Sequence, residues 1–184
     1  SSKKTGDAFL FVSTNLFSGY RPNGVPPMND RELCSLEKEL VENVFSQVNN
    51  IVDYKPYPAI RQLDADPVIS TAIDQANMNV IGTHEDLRYL LETYRLFITS
   101  RATSTVSWLV ASEKPLVFID HYCHARLSEP AAQAFSDAFF MFDQSENDFA
   151  FRLRDFLNRP FPEIEQEWKA KSSARGEVIE LFFS

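Results

Sequence analysis

The sequence predicts an α/β domain: a doubly wound, mostly parallel, six-stranded Rossmann-like sheet with helices closing the C-terminus. Short apolar runs alternate with helix-like segments about six times along the 184 residues. The runs are continuous, as in "FLFV" and "LVFI", which is how a strand buried on both faces reads. Connections are short, with no internal repeat, low-complexity tract or interdomain linker. A chain of this length builds one core, so residues 1–184 are read as a single domain. With no initiator Met, they are also read as a piece of a larger protein.

"DAFLFVSTN" (Asp7–Asn15) is the first strand, an apolar run ending in small polar residues. The Gly, Pro and Asn of the stretch that follows make a loop. Asp30 is placed to cap the next helix, residues 31–48, where Leu33, Leu36, Leu40, Val41, Val44 and Val48 recur at helical spacing. "NNIVDYKPYP" is a second strand that stops at prolines, and "DPVISTAIDQA" is ambiguous. "MNVIGTH" is a third strand and "EDLRYLLETY" a helix. Strands Leu96–Ile98 and Leu116–Ile119 bracket a helix over Thr103–Ala111. A helical segment near "SEPAAQAFSDA" leads into "FFMFD", the sixth strand. The helix after it takes Ser145 as cap and ends before Pro160, and the tail forms one or two helices with a possible break at Gly176.

Bulk properties exclude several functions. Net charge is −8, so no general nucleic-acid surface is expected. No run approaches the roughly 20 apolar residues of a membrane span, and no signal peptide opens the sequence. Two cysteines, Cys34 and Cys123, fit a reducing compartment, and the expected location is the cytoplasm, with membrane association only through other domains. Neither G-x-G-x-x-G nor G-x-x-x-x-G-K-[ST] occurs, which argues against a dinucleotide dehydrogenase and a P-loop enzyme.

The most informative stretch follows the fourth strand. Thr99, Ser100, Thr103, Ser104, Thr105 and Ser107 place six hydroxyls within nine positions, with Arg101 among them. Capping a helix needs one or two hydroxyls. In a sheet of this kind, ligands sit beyond the carboxyl ends of the strands, and a helix start there suits a phosphate. The cluster is therefore read as an anion cradle. Lys55, in "KPYP", ends the second strand at the same edge, and Tyr57 and Arg61 could face the same crevice. Read alone, "KPYP" is also a stiff solvated turn. Ser13, Asn15 and His84 follow the first and third strands and are candidates for the nucleotide's edge. "HYCH" lacks further ligands for zinc, so no metal and no cofactor are expected. Asp64, Asp66 and Asp120 could do acid–base work, but no spacing singles out a pair, and the catalytic base stays unassigned.

Together, "FLFVSTN", "YKPYP", "FITSRATSTVSWLVASEKPLVFID" and the helical tail resemble the C-terminal, donor-binding half of GT-B glycosyltransferases. They are most similar to bacterial enzymes of surface polysaccharide assembly such as Kdo and other CMP-sugar transferases. The resemblance implies that Lys55, Pro56 and Pro58 hold the nucleotide and that Ser104 and Thr105 hold its phosphate. Lys114 and Pro115 match the "KP" before the next strand. Tyr57 stands where the family's turn has His, and Trp108 lies where many members carry a ribose-binding Glu. The implied substrate is a nucleotide sugar, with a glycan acceptor held by an N-terminal domain that this chain lacks. The alternatives are a nucleotide-sugar epimerase or glycerophosphate transferase of similar fold, a non-catalytic α/β module with an exposed Phe-rich patch, and a flavodoxin-like domain.

Overall fold

The computed structural model describes residues 7–13, 30–57, 66–100, 104–121 and 127–183. Its centre is a sheet of β1 (Phe9–Val12), β2 (Val52–Lys55), β3 (Met78–Val80), β4 (Leu96–Thr99), β5 (Leu116–Asp120) and β6 (Phe140–Asp143). The order is β3-β2-β1-β4-β5-β6, and every recorded pairing is parallel. The expected Rossmann-like sheet is therefore present, with strand order reversing between β1 and β4. Parallel neighbours need crossovers, and right-handed crossovers running in opposite directions from the centre put helices on both faces.

The strand sequences explain their places. "FLFV" in β1, "LFIT" in β4 and "LVFID" in β5 are buried at every position, as central strands covered on both faces must be. In β3 and β6 the burial is interrupted, as suits the two edges of the sheet. Phe11 packs against Phe45 and Tyr54, and Phe140 packs against Phe156 and Trp168, so large rings fill both ends of the core.

Eight α-helices accompany the strands: α1 (Asp30–Asn43), α2 (Pro67–Ile73), α3 (Leu87–Leu90), α4 (Ser104–Ala111), α5 (Glu129–Ala138), α6 (Phe149–Leu157), α7 (Phe161–Ala170) and α8 (Ser172–Phe182). Several boundaries differ from the sequence reading. The 31–48 helix stops at Asn43 and gives way to a 3-10 turn over Phe45–Gln47, so that Phe45 drops into the core. Asp30 is the first helical residue of α1. The ambiguous segment is a helix because Asp66 accepts from the Val68 N–H at 2.8 Å and Pro67 sits at the first position. The expected 85–94 helix shrinks to one turn, capped by Asp86.

Two corrections concern the C-terminal third. Ser145 does not cap α6: Asp143 Oδ1 accepts from both its N–H and its hydroxyl, making an Asx turn, and Asp148 takes the cap position. The tail breaks at Lys171, not at Gly176, which lies inside α8. The kink lets Trp168, Ile164 and Val178 all reach the core, and Trp168 Nε1 donates to the Glu113 carbonyl at 2.8 Å. No helix among the described residues is long and apolar enough to cross a membrane.

Candidate functional site

Buried polar side chains cluster at the carboxyl edge of the sheet. Ser13, Lys55, Thr99, Ser100, Asp120 and His121 are all buried, and each ends or directly follows a strand. Within a core strand such groups need partners, as Asp53 in β2 has in Asn79 and the Tyr94 hydroxyl. The others collect where strands stop and a ligand can supply partners.

The middle of this edge is the switch point. Lys55 pairs in register with Val12, and Val12 with Thr99, so the three lie on one line across the sheet. Two strand spacings separate Lys55 from Thr99, about 10 Å. The line places their side chains on the same face. Lys55 is only 3% exposed, and its Nζ donates to the Pro56 carbonyl at 3.0 Å. Burial draws its pKa below the usual lysine value, while the charges of Glu85 and Asp86 oppose that fall. Neither carboxylate forms an ion pair with it among the described residues, so the site holds a cation only partly compensated.

Beside it, Ser100 is 3% exposed, and its Oγ has no hydrogen-bond partner among the described residues. Thr99 Oγ1 reaches only the Val12 carbonyl, at 3.5 Å. The Ser100 hydroxyl is therefore desolvated and unspent, and its neighbour's nearly so, which is costly unless a further group completes them. Four residues on, α4 opens at Ser104. Ser104 is exposed and Thr105 half-buried.

Ser13 works differently. Its Oγ lies 2.9 and 2.7 Å from the two oxygens of Glu37, a fully buried carboxylate on α1. Its one proton is thus committed to Glu37, within a buried network that also takes in Tyr54. Tyr54 donates to Asp66 Oδ2 at 2.8 Å and lies 3.2 Å from Glu37 Oε2. Burial first, then the Glu37 and Asp66 charges, push the Tyr54 phenol well above its ordinary pKa. Asp66 is accordingly spent on a helix cap and a tyrosine, which removes it from the acid–base candidates.

At the end of β5, His121 is fully buried and its Nδ1 contacts Gln144 Oε1. An amide oxygen only accepts, so Nδ1 carries the proton and Nε2 the lone pair. Burial lowers the imidazole from 6.5 to about 4, so it is neutral at pH 7. The Gln144 N–H donates to the Asp120 carbonyl at 3.0 Å and ties the ends of β5 and β6 together.

The remaining expected residues divide plainly. His84 is exposed on the loop after β3, the outer strand, and Tyr57 is 39% exposed. Asn15, Arg61, Asp64, Arg101, Thr103 and Cys123 lie outside the described residues. No cluster of three His, Cys, Asp or Glu side chains placed for a metal occurs among the described residues. Sequence reasoning placed Ser100 in the hydroxyl cluster but did not select Glu37 or His121 as site residues. The rule that picked Ser13 and Lys55, a polar residue closing an apolar strand, also picks Ser100 and His121. Glu37 carried no such signal, because it sits amid an otherwise ordinary amphipathic helix.

Comparison with known proteins adds a single outline. No family model matches the chain, and no curated protein matches it. Among solved structures it is similar to the glycosyltransferase SnogD from Streptomyces nogalater, at 15% identity and a TM-score of 0.45. The alignment covers 96% of this chain and 44% of that one, so the chain spans less than half the length of that neighbour.

Proposed function

We propose that this domain binds a nucleotide-activated sugar and forms the donor half of a GT-B glycosyltransferase. The observation that carries the reading is the pairing of Lys55, buried and without an ion-pair partner among the described residues, with the unspent Ser100 hydroxyl at the switch point. A desolvated ammonium at the end of β2 and a desolvated hydroxyl just after β4 suit an anion with several oxygens. In the reaction, the donor's phosphate lies toward Ser100 and the start of α4, with Ser104 and Thr105 as further hydroxyl donors. Lys55, together with the sequence candidates Arg101 and Arg61, stabilises the negative charge that grows on the departing nucleotide. Lys55 and Ser100 are held at strand ends before the reaction, so little reorganisation is needed there as charge develops. Ser13, which follows β1, borders the nucleotide's edge. The acceptor and the catalytic base belong to a partner domain.

The sparse cation set favours a donor with one phosphate, such as a CMP-linked sugar of the Kdo kind used in surface polysaccharide synthesis. Against the non-catalytic module reading, most of the described phenylalanines, Phe9, Phe11, Phe45, Phe97, Phe118 and Phe135 among them, are buried in the core, while Phe151 and Phe182 are exposed on different helices.

The test is calorimetry of CMP, UMP, UDP, GDP and ADP against the wild type, Lys55→Met, and Ser104→Ala with Thr105→Ala. The reading expects one nucleotide class to bind, and expects both variants to weaken it by about tenfold or more. A UDP preference would keep the transferase reading and discard the CMP donor. Binding that ignores all three substitutions would remove the site from this edge.

A further inference from the structure

A second concave surface lies at the opposite, amino edge of the sheet. The chain enters β4 at Arg95 and β5 after Pro115, and both residues line a cleft of about 670 Å³ walled by α4, α7 and α8. That volume falls in the range of small-molecule sites, roughly 300–1,000 Å³. Its charge runs against the rest of the molecule. Arg95, Lys114, Lys169 and Arg175 meet only Glu113 and Glu165 there, on a chain of net charge −8.

The cations are poorly compensated. Arg175 lies over the Trp168 ring at 3.7 Å and donates to the Trp168 carbonyl at 2.5 Å, and burial lowers its pKa. Lys114 Nζ donates to the Leu91 carbonyl at 2.6 Å, with the exposed Glu92 at 3.9 Å. Among the described residues, Lys169 and Arg175 make no ion pair. Arg95 is the better compensated: it pairs with the exposed Asp7 at 3.8 Å and donates to Asn50 Oδ1 at 2.6 Å, while it stacks on Phe161 at 4.5 Å and its buried Nε has no hydrogen-bond partner among the described residues. Ser172, the first residue of α8, lies on the wall, and no side chain caps that helix end. Cations held against aromatic faces, with an uncapped helix start beside them, form a surface that attracts an anion and gives its body an apolar bed.

We propose that this cleft is a second binding site, separate from the nucleotide edge, for a small organic anion in which a phosphate or carboxylate is attached to a flat apolar ring. The ring packs toward the half-buried Phe161 and the exposed Ile179, with Trp168 in the wall behind, and the anionic group meets Lys169 and Arg175.

The experiment follows the Trp168 indole N–H resonance in a Trp108→Phe background, where it is the only indole signal. The probe is 1-naphthyl phosphate, with 1-naphthoate, 1-naphthol and inorganic phosphate alongside. The expected result is a saturable shift with naphthyl phosphate, at least about tenfold weaker binding of naphthol and of inorganic phosphate, and a loss of about tenfold in Lys169→Glu. Glu165→Gln, at another exposed position, is expected to tighten binding. Naphthoate binding as well as naphthyl phosphate would make the ligand a carboxylate, and binding less well a phosphate ester. Lys55→Met is expected to leave the affinity unchanged, so failure here and failure of the nucleotide reading are separable. No saturable shift, equal binding of naphthol, or indifference to both Lys169→Glu and Glu165→Gln would overturn the proposal.

Discussion

Lowering the pH is expected to destabilise this fold through one identified histidine. His121 is fully buried, with its pKa lowered from 6.5 to about 4. Above pH 6.5 the imidazole is neutral in both folded and unfolded chains and contributes no pH dependence. Between 6.5 and 4 the unfolded chain takes up a proton that the folded one refuses, so stability falls as the pH falls through that window. The full difference corresponds to about 3 kcal/mol, of which about 2 kcal/mol is lost by pH 5. For a domain of this size that is a drop of about 4–8 °C in Tm. Carboxylates in general protonate over the same range, so the comparison is with His121→Gln, which keeps an amide facing Gln144 and cannot titrate. Calorimetric melting from pH 7.5 to 4.5 should show a shallower loss in the variant by that amount, and the His121 ring resonances should not titrate between pH 8 and 5. Parallel melting profiles, or a His121 signal titrating near 6.5, would refute the reasoning.

Three stability predictions come from single contacts. Asp66→Ala removes the cap on Val68 N–H and the Tyr54 partner together, and should cost about 2–3 kcal/mol by denaturant unfolding. Glu113 holds φ 58° between α4 and β5, so Glu113→Gly should stabilise by about 1 kcal/mol, its carbonyl still accepting from Trp168. Gly176 lies inside α8, and a Cβ there would meet nothing within 4 Å, so Gly176→Ala should raise stability by about 0.5–1 kcal/mol.

The sheet was legible in the sequence because parallel strands buried on both faces leave an unmistakable trace. "FLFV", "LFIT" and "LVFID" have no polar alternation to confuse with a surface strand. Helix ends were less legible, since they depend on tertiary demands. The 3-10 turn after Asn43 exists to bury Phe45, and the break at Lys171 brings Trp168 and Val178 inward. Neither is written in local propensity, and Gly176, the better helix breaker by composition, is carried inside α8. At the site, Lys55 and Ser13 were readable from where strands stop. The Ser13–Glu37–Tyr54–Asp66 chain was not, because it joins four segments through contacts that only the fold creates.

The central claim is that ligand binds at the carboxyl edge, between Lys55 and Ser100. The most direct test is a backbone amide NMR titration with the nucleotide that calorimetry selects. The account predicts that shifts concentrate at Ser13, Lys55, Thr99, Ser100, Ser104 and Thr105 and disappear in Lys55→Met. Shifts confined to the amino edge around Lys169 and Arg175, or a spectrum left unchanged by saturating nucleotide, would contradict it.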